Sequence, residues 1–293
     1  MKIAVYGQYF KPEDKTYIEE LLYALRKNNI DFVIESNYFL ELKEHLNIPK
    51  AKIFSSHKEL DSSFNFLFTV GGDGTILRAV KFVRDSNIPV VGINIGRLGF
   101  LATVQKEEIT TAVELLIKRK YLIKSRSLLS VRTSPNIESL ESLNFALNEV
   151  AVNRKNTASM ITVEIYLDDE YLTSYWADGL IIATPTGSTG YSLSCGGPII
   201  TPRAKSLALT PIAPHNLSAR PLVIPDDTKI KFKVSGREDE FVLTLDSRIT
   251  TINSNTEIYV EKSNFNLKMV QIKEQTFIKT LREKLLWGQD SRN

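Results

Sequence analysis

The sequence predicts an α/β first domain on a parallel sheet, a β-rich, sandwich-like second domain, and a C-terminal helix that returns to the first. Three observations carry this. Up to Ile117, apolar strand runs alternate with helical spacing, the pattern of a parallel sheet with helices on its faces. From about Leu128 to Ile272, apolar residues recur at every second position between turn residues, as in antiparallel strands. At 293 residues the chain is long enough for two cores, because single cores stop growing near that size. Boundaries at 1–125, 126–272 and 273–293 follow.

Residues 2–6 open the chain with a strand, and Pro12, followed by Glu13 and Asp14, suits a helix start. Ile18, Leu21, Leu22 and Leu25 then recur at helical spacing, and Asn28-Asn29 closes the segment. Asp31 to Glu35 reads as a strand, Leu40 to Ile48 as a short helix, and Ala51 to Phe54 as a short strand. Phe66 to Val70 is a buried-strand run, and Ile76, Leu77, Val80 and Val83 mark one face of the helix after it. Ile88 to Ile93 is a further strand, and Ile109, Val113, Leu116 and Ile117 mark another amphipathic helix. In the second part, Ile161 to Leu167 alternates, turns at Asp168-Asp169-Glu170 and resumes at Tyr171. Phe232, Val234, Phe241, Leu243 and Leu245 continue that period. Residues 277–287 read as a helix through Phe277, Leu281 and Leu285, with Gly288 as the stop.

Composition narrows the partners. Lys and Arg are interspersed with Asp and Glu, and a net charge of +3 is too small a bias for a nucleic-acid binder, although it suits an anionic small substrate. Cys195 is the single cysteine, so no intrachain disulfide can form and a reducing compartment is expected. No apolar run approaches the roughly 20 residues of a membrane span, and the N-terminus lacks signal-peptide architecture. A cytoplasmic protein is expected.

The chemistry starts where Phe66–Val70 runs into Gly71-Gly72-Asp73-Gly74-Thr75. A strand, a glycine turn and a helix N-terminus bring unpaired N–H groups and a positive dipole end together, which favours phosphate. Gly71, Gly72 and Gly74 permit positive φ and close approach of a ligand. Asp73 would repel that phosphate unless a cation intervenes or the carboxylate accepts a proton in the reaction; the alternative is that Asp73 only caps the helix. A second glycine turn, Asn94-Ile95-Gly96-Arg97-Leu98-Gly99-Phe100-Leu101, lacks the opening glycine pair of a dinucleotide fingerprint. It lies at the same sheet edge and can wall the site that the first turn opens.

From Asp178 to Pro198, small and hydroxyl residues abruptly replace apolar ones. The strand Leu180–Ala183 leads into a turn dense in N–H and hydroxyl groups, where Tyr191 can stack on a flat ring. Alone, such a cluster also fits a hydrogen-bonded surface loop. No His/Cys cluster has metal-ligand spacing, so no protein metal site is expected.

The glycine loop resembles the phosphate loop shared by NAD kinases, diacylglycerol and sphingosine lipid kinases and phosphofructokinases, which implies a Rossmann-like first domain. Asp178-Gly-Leu-Ile-Ile-Ala-Thr-Pro-Thr-Gly-Ser-Thr-Gly190-Tyr191-Ser-Leu-Ser-Cys-Gly-Gly-Pro198 resembles the hallmark segment of NAD kinases. Asn94-x-Gly96-x-Leu98-Gly99-Phe100, Leu147-Asn148-Glu149-Val150 and Pro214-His215-x-Leu217-Ser218-x-Arg220-Pro221-Leu222 join them in the family's order. The resemblance implies transfer of the γ-phosphoryl of ATP to the 2′-hydroxyl of the adenosine ribose of NAD, with Mg²⁺ held through the nucleotide. It implies that Asp73 accepts the proton, with Gly72, Gly74, Thr75 and Arg78 around the phosphates. Asn94 and Phe100 line the ligand, Asn148 and Glu149 hold ribose hydroxyls, and Asp178 reads the nicotinamide end. Thr189, Gly190, Tyr191, Ser192, Leu193 and Ser194 enclose the adenosine half. A homodimer or homotetramer is implied as well. Gly190 in place of an alanine, Trp176 two residues before Asp178, and Asp246-Ser247-Arg248 depart from the family pattern; these departures bear on substrate preference. A lipid kinase built on the same donor loop and a non-catalytic NAD-binding module are the alternatives.

Overall fold

The computed structural model describes residues 1–48, 51–97, 99–156, 159–272 and 276–286. Contacts divide the chain into two compact units, Met1–Ser125 with the segment from Leu267 onward, and Arg126–Asn266.

The first unit alternates strand and helix. β1 (Lys2–Gly7), α1 (Lys15–Lys27), β2 (Asp31–Glu35), α2 (Ser36–His45), β3 (Lys52–Phe54), β4 (Phe66–Val70), α3 (Asp73–Val83), β5 (Val90–Asn94), β6 (Val104–Gln105) and α4 (Ile109–Ile117) follow in order. The strands pair in parallel as β6-β5-β4-β1-β2-β3. All five residues of β4 and of β5 are buried, as expected for central strands covered on both faces. Ile18, Leu21, Leu22 and Leu25 of α1 bury against the sheet. α2 begins earlier than the apolar spacing implied. Glu35 caps it by accepting from the Tyr38 N–H at 2.9 Å, and Tyr38 and Leu42 are its buried positions.

The second unit is made of strands. β7 (Leu122–Ser134), whose first residues belong to the first unit, is followed by α5 (Glu138–Glu141), β8 (Phe145–Ala146), β9 (Glu149–Arg154), β10 (Ile161–Leu167), β11 (Glu170–Ala177) and β12 (Gly179–Ala183). Next come α6 (Tyr191–Ser194), β13 (Ser206–Ile212), β14 (Leu222–Pro225), β15 (Ile230–Ser235), β16 (Glu240–Leu245), β17 (Arg248–Asn253) and β18 (Glu257–Gln271). One sheet carries β11-β10-β15-β18 with β7 and β8 beside it; the other runs β14-β13-β12-β9-β16-β17. Val163, Ile165, Phe232 and Ile258 of the first share a core with Val152, Leu180, Ile182 and Leu243 of the second, the arrangement of a sandwich. The β10–β11 turn is Asp168-Asp169, both at positive φ (48° and 67°), the backbone that a two-residue hairpin turn requires. Glu170 already belongs to β11.

The last residues of β18 lie in the first unit, where Met269 pairs in parallel with Val90. The division therefore falls at 266/267 rather than after 272. α7 (Phe277–Leu285) also belongs to the first unit, where Phe277 tilts against Phe100 at 6.0 Å. Thr276 caps it by accepting from the Lys279 N–H. The expected helix end at 287–288, residues 273–275 at the expected domain boundary, and Leu98 of the second glycine turn lie outside the described residues.

Candidate functional site

In the first unit the expected residues gather at the carboxyl ends of β4 and β5, where ligands bind in open parallel sheets. Gly71 has φ +147°, and a Cβ there would collide with the Thr75 hydroxyl. Gly72 and Gly74 do not share this conformation. Gly72 sits at φ −89° and Gly74 lies within α3, which corrects the expectation of positive φ at all three. An added Cβ at either would meet nothing within 4 Å. The protein's own packing does not require glycine at these two positions; they keep space open outside α3. Gly72 supplies no side-chain cap, so the first N–H groups of α3 face that space without one.

Asp73 does not cap its own helix. Its Oδ2 accepts from the Phe100 N–H at 2.7 Å, and its Oδ1 accepts from the Leu101 and Ala102 N–H groups, both at 3.0 Å. The second glycine turn thus walls the first by gripping its carboxylate. A carboxylate offers about four lone-pair directions, so one remains for a ligand hydroxyl. Asn94 ends β5 fully buried, with Oδ1 accepting from the Gly96 N–H at 3.1 Å and Nδ2 without a partner. Arg78 is exposed on α3. Its charge opposes the burial and the Glu35 carboxylate that together push the Tyr6 hydroxyl up to about 12.

The second unit gathers the other expected residues around the end of β12 and the start of β9. Gly187 approaches Asn148 so closely that a Cβ would collide with the Asn148 carbonyl. Thr184 ties the same turn down, donating from Oγ1 to the Leu147 carbonyl at 2.7 Å and accepting from the Gly187 N–H at 3.1 Å. Asn148 and Glu149 flank Gly190: a Cβ there would lie 3.4 Å from Asn148 Nδ2 and 3.3 Å from Glu149 Oε2. Both residues keep a buried oxygen without a partner, Asn148 Oδ1 and Glu149 Oε2. Burial and the nearby Asp246 carboxylate push Glu149 up to about 7, against a Tyr191 N–H that pulls it down. Asp178 pairs with Arg154 at 3.3 Å. Tyr191 is 41% exposed, with its ring available for stacking, and its hydroxyl donates to Asn153 Oδ1 at 3.4 Å. Its pKa is raised by burial and by Cys195, Asp178 and Glu149, which places these groups around one tyrosine. Thr189 donates to the Thr186 carbonyl at 3.3 Å, Leu193 is half-buried, and Ser194 is exposed.

Ser192 turns its side chain inward. It is fully buried, its hydroxyl 2.9 Å from Thr210 Oγ1 with Gly197 pressed against it. The contact locks α6 to β13.

Sequence reasoning missed the supports. Arg154 holds Asp178, and Asp246 accepts from the Leu147, Asn148 and Glu149 N–H groups at 2.9, 2.7 and 3.3 Å. Nothing in local sequence marks either contact, because β9, β12 and the β16–β17 turn meet only in the folded sheet. A cavity of about 470 Å³ elsewhere in this unit is lined by Arg132, Thr133, Lys229, Lys231, Tyr259 and Glu261, among others. It includes none of the expected residues. Among the described residues no group of three or more His, Cys, Asp or Glu side chains could hold a metal, and no helix is long and apolar enough to cross a membrane.

Comparison with known proteins gives these arrangements a family. The model of the ATP-NAD kinase N-terminal domain matches residues 10–121, and that of the ATP-NAD kinase C-terminal domain matches residues 147–272. An NAD kinase of Flavobacterium psychrophilum is 56% identical over 294 aligned positions, covering 100% of both chains. The structure of an NAD kinase from Archaeoglobus fulgidus in complex with ATP superposes with TM-score 0.75 at 26% identity, covering 98% of this chain and 99% of that one. Yeast NADH kinase complexed with NADH gives TM-score 0.87 over 99% of this chain and 88% of that one. At 24% identity this second likeness bears on the fold alone. With both family models matched in order and a relative of this identity along the whole chain, the protein belongs to the ATP-NAD kinase family.

Proposed function

We propose that the protein is an ATP-dependent NAD kinase that transfers the γ-phosphoryl of ATP to the 2′-hydroxyl of the adenosine ribose of NAD, giving NADP and ADP. The observation that carries the reading is the Asp73 carboxylate, fixed by three amides with one acceptor direction to spare, in a chain 56% identical to an NAD kinase.

Phosphoryl transfer asks the protein for position and charge stabilisation more than for covalent chemistry. Asp73 orients the 2′-hydroxyl and takes its proton as the oxygen bonds to the γ-phosphorus. The bond to the β-phosphate oxygen breaks, and ADP leaves with that electron pair. General-base help of this kind is worth about 10²- to 10⁴-fold. The open backbone at Gly72 and Gly74, the first N–H groups of α3 and the exposed Arg78 receive donor phosphates, with Thr75 buried behind them. Asn94, with its unpartnered Nδ2, and Phe100 complete this edge. The first domain is thus the nucleotide-phosphate domain and the second the dinucleotide domain. There Asn148 and Glu149 take ribose hydroxyls, Asp178 takes the nicotinamide end, and Thr189, Gly190, Tyr191, Leu193 and Ser194 enclose the adenosine half, with Ser192 bracing them from behind. A divalent cation, Mg²⁺, neutralises phosphate charge when bound. Such an ion commonly keeps several waters and would be held largely by substrate phosphates. The enzyme is assigned to the cytoplasm, as a homodimer or homotetramer.

The deciding assay is incubation with ATP and Mg²⁺ plus NAD, NADH or diacylglycerol, reading the phosphorylated product. NADP formation supports the proposal. Phosphorylation of diacylglycerol alone, or NAD binding without turnover in every condition, replaces it with a lipid kinase or a sensor.

A further inference from the structure

Asp246 lies in the tight turn between β16 and β17, far along the chain from the Asn148-Glu149 pair, yet it holds that pair by its backbone. Its carboxylate accepts from three successive N–H groups, those of Leu147, Asn148 and Glu149. Its own N–H donates to the Glu149 carbonyl at 3.0 Å. Arg248 secures the same turn. Its guanidinium donates to the carbonyls of Leu143, at 2.7 Å, and of Phe145, and it lies 4.0 Å from Asp246 Oδ2. The result is a fixed backbone from which two side chains project, each with one buried oxygen that no protein group satisfies: Asn148 Oδ1 and Glu149 Oε2. Buried polar atoms are seldom left so, and two side by side call for a ligand that bonds to both.

We propose that Asp246 is a positioning residue that aims Asn148 and Glu149 at a vicinal diol, and that its nearness leaves Glu149 the hydrogen-bond donor of the pair. The inference deepens the NAD-binding reading above and rests on it for the identity of the diol. Asn148 Oδ1 accepts from one ribose hydroxyl, and Glu149, carrying a proton, donates to the oxygen of the other.

The division of roles follows from the surroundings of the two carboxyls. Burial raises the Asp246 carboxyl too, but three amides and the Arg248 guanidinium oppose that rise, whereas at Glu149 the Tyr191 N–H opposes both burial and the Asp246 charge. Two buried carboxyls of which one raises the other do not both ionise readily, and the one with fewer donors takes the proton. The titratable groups bearing on the pair are Asp246 and Arg248 from the β16–β17 turn and Tyr191 from α6, with Asp178 and Cys195 acting on Tyr191 in turn. Burial and Asp246 both raise Glu149, to about 7.

Two measurements on the full-length protein test this. In the ligand-free state, the carboxyl carbons of ¹³C-labelled glutamate are titrated by NMR, with Glu149→Gln identifying the Glu149 signal and Asp246→Asn as the variant. The Glu149 signal is expected to titrate near 7 in the wild type and to move toward the ordinary 4.5 in Asp246→Asn. A Glu149 that already titrates at the ordinary value, or that does not respond to Asp246→Asn, overturns the proposal. The affinity for NAD is then measured at pH 6 and pH 8.5 in the wild type and in Glu149→Gln, a variant that leaves the Asp246 clasp intact and so decides the matter even if Asp246→Asn does not fold. The wild type is expected to lose roughly tenfold or more in affinity over that interval, as the proton leaves, and Glu149→Gln to show no such fall. A flat wild-type profile, or the same fall in Glu149→Gln, overturns the proposal. A wild type that binds no NAD at any pH overturns the functional reading instead, and the NMR titration still decides the role of Asp246.

Discussion

Gly99 and Asp73 fit together only because Gly99 has no side chain: a Cβ built on it would overlap the Asp73 carboxylate. The contact joins the two glycine turns of the first unit and sets the direction in which the carboxylate points. Gly99→Ala should therefore displace Asp73 from the Phe100, Leu101 and Ala102 amides. Overpacking of this kind typically costs about 1–3 kcal/mol, and we expect NADP formation to fall at least tenfold. Unchanged turnover in a folded Gly99→Ala protein would show that the carboxylate need not be held there.

Asp73→Asn keeps the size of the side chain but removes the proton acceptor. Turnover should drop by about 10²- to 10⁴-fold, with NAD affinity changed far less. Steady-state kinetics separates the two, and a wild-type kcat removes Asp73 from the chemistry.

Asp178→Ala should act on binding instead. It breaks the 3.3 Å pair with Arg154 and removes the carboxylate assigned to the nicotinamide end. Hydrogen bonds to charged groups are worth about 1.5–3 kcal/mol, so the Kd for NAD should rise tenfold or more by calorimetry. An unaltered Kd refutes the assignment.

Ser192→Ala distinguishes a bracing hydroxyl from a ligand-binding one. The Ser192–Thr210 contact is buried at 2.9 Å, and removing one partner leaves the Thr210 hydroxyl unsatisfied, at about 1–3 kcal/mol. We expect a lower Tm and a Kd for NAD within threefold of wild type. A large loss of affinity at unchanged Tm would return Ser192 to the binding surface.

Glu149 also ties stability to pH. Its folded-state pKa of about 7 lies above the ordinary 4.5, so between these values the folded state binds more protons than the unfolded one. Its contribution is fully present below pH 4.5 and is lost as pH rises through about 7. Each pKa unit corresponds to about 1.4 kcal/mol, which makes the change on the order of 3 kcal/mol. Urea melts across this interval should show a steeper fall in stability for the wild type than for Glu149→Gln, and parallel profiles would exclude the effect.

The alternation of strand and helix up to Ile117, the period-two second part and the two places where chemistry concentrates are legible along the chain. Hydrophobic period and glycine turns are local properties, and residues such as Asp73, Asn148 and Tyr191 stand inside distinctive runs. α2 was misplaced because its start is set by a capping contact from Glu35 to Tyr38, which apolar spacing does not encode. How the carboxylates are held is settled by folding: Asp73 by the amides of a turn 27–29 residues away, Asp246 by amides 97–99 residues away. Folding also turns Ser192 inward onto Thr210. Any N–H can fill such a contact, so the side chains around it leave no local signature. The partners are chosen by which strands become neighbours in the sheet, and that is fixed only when distant apolar faces have found each other.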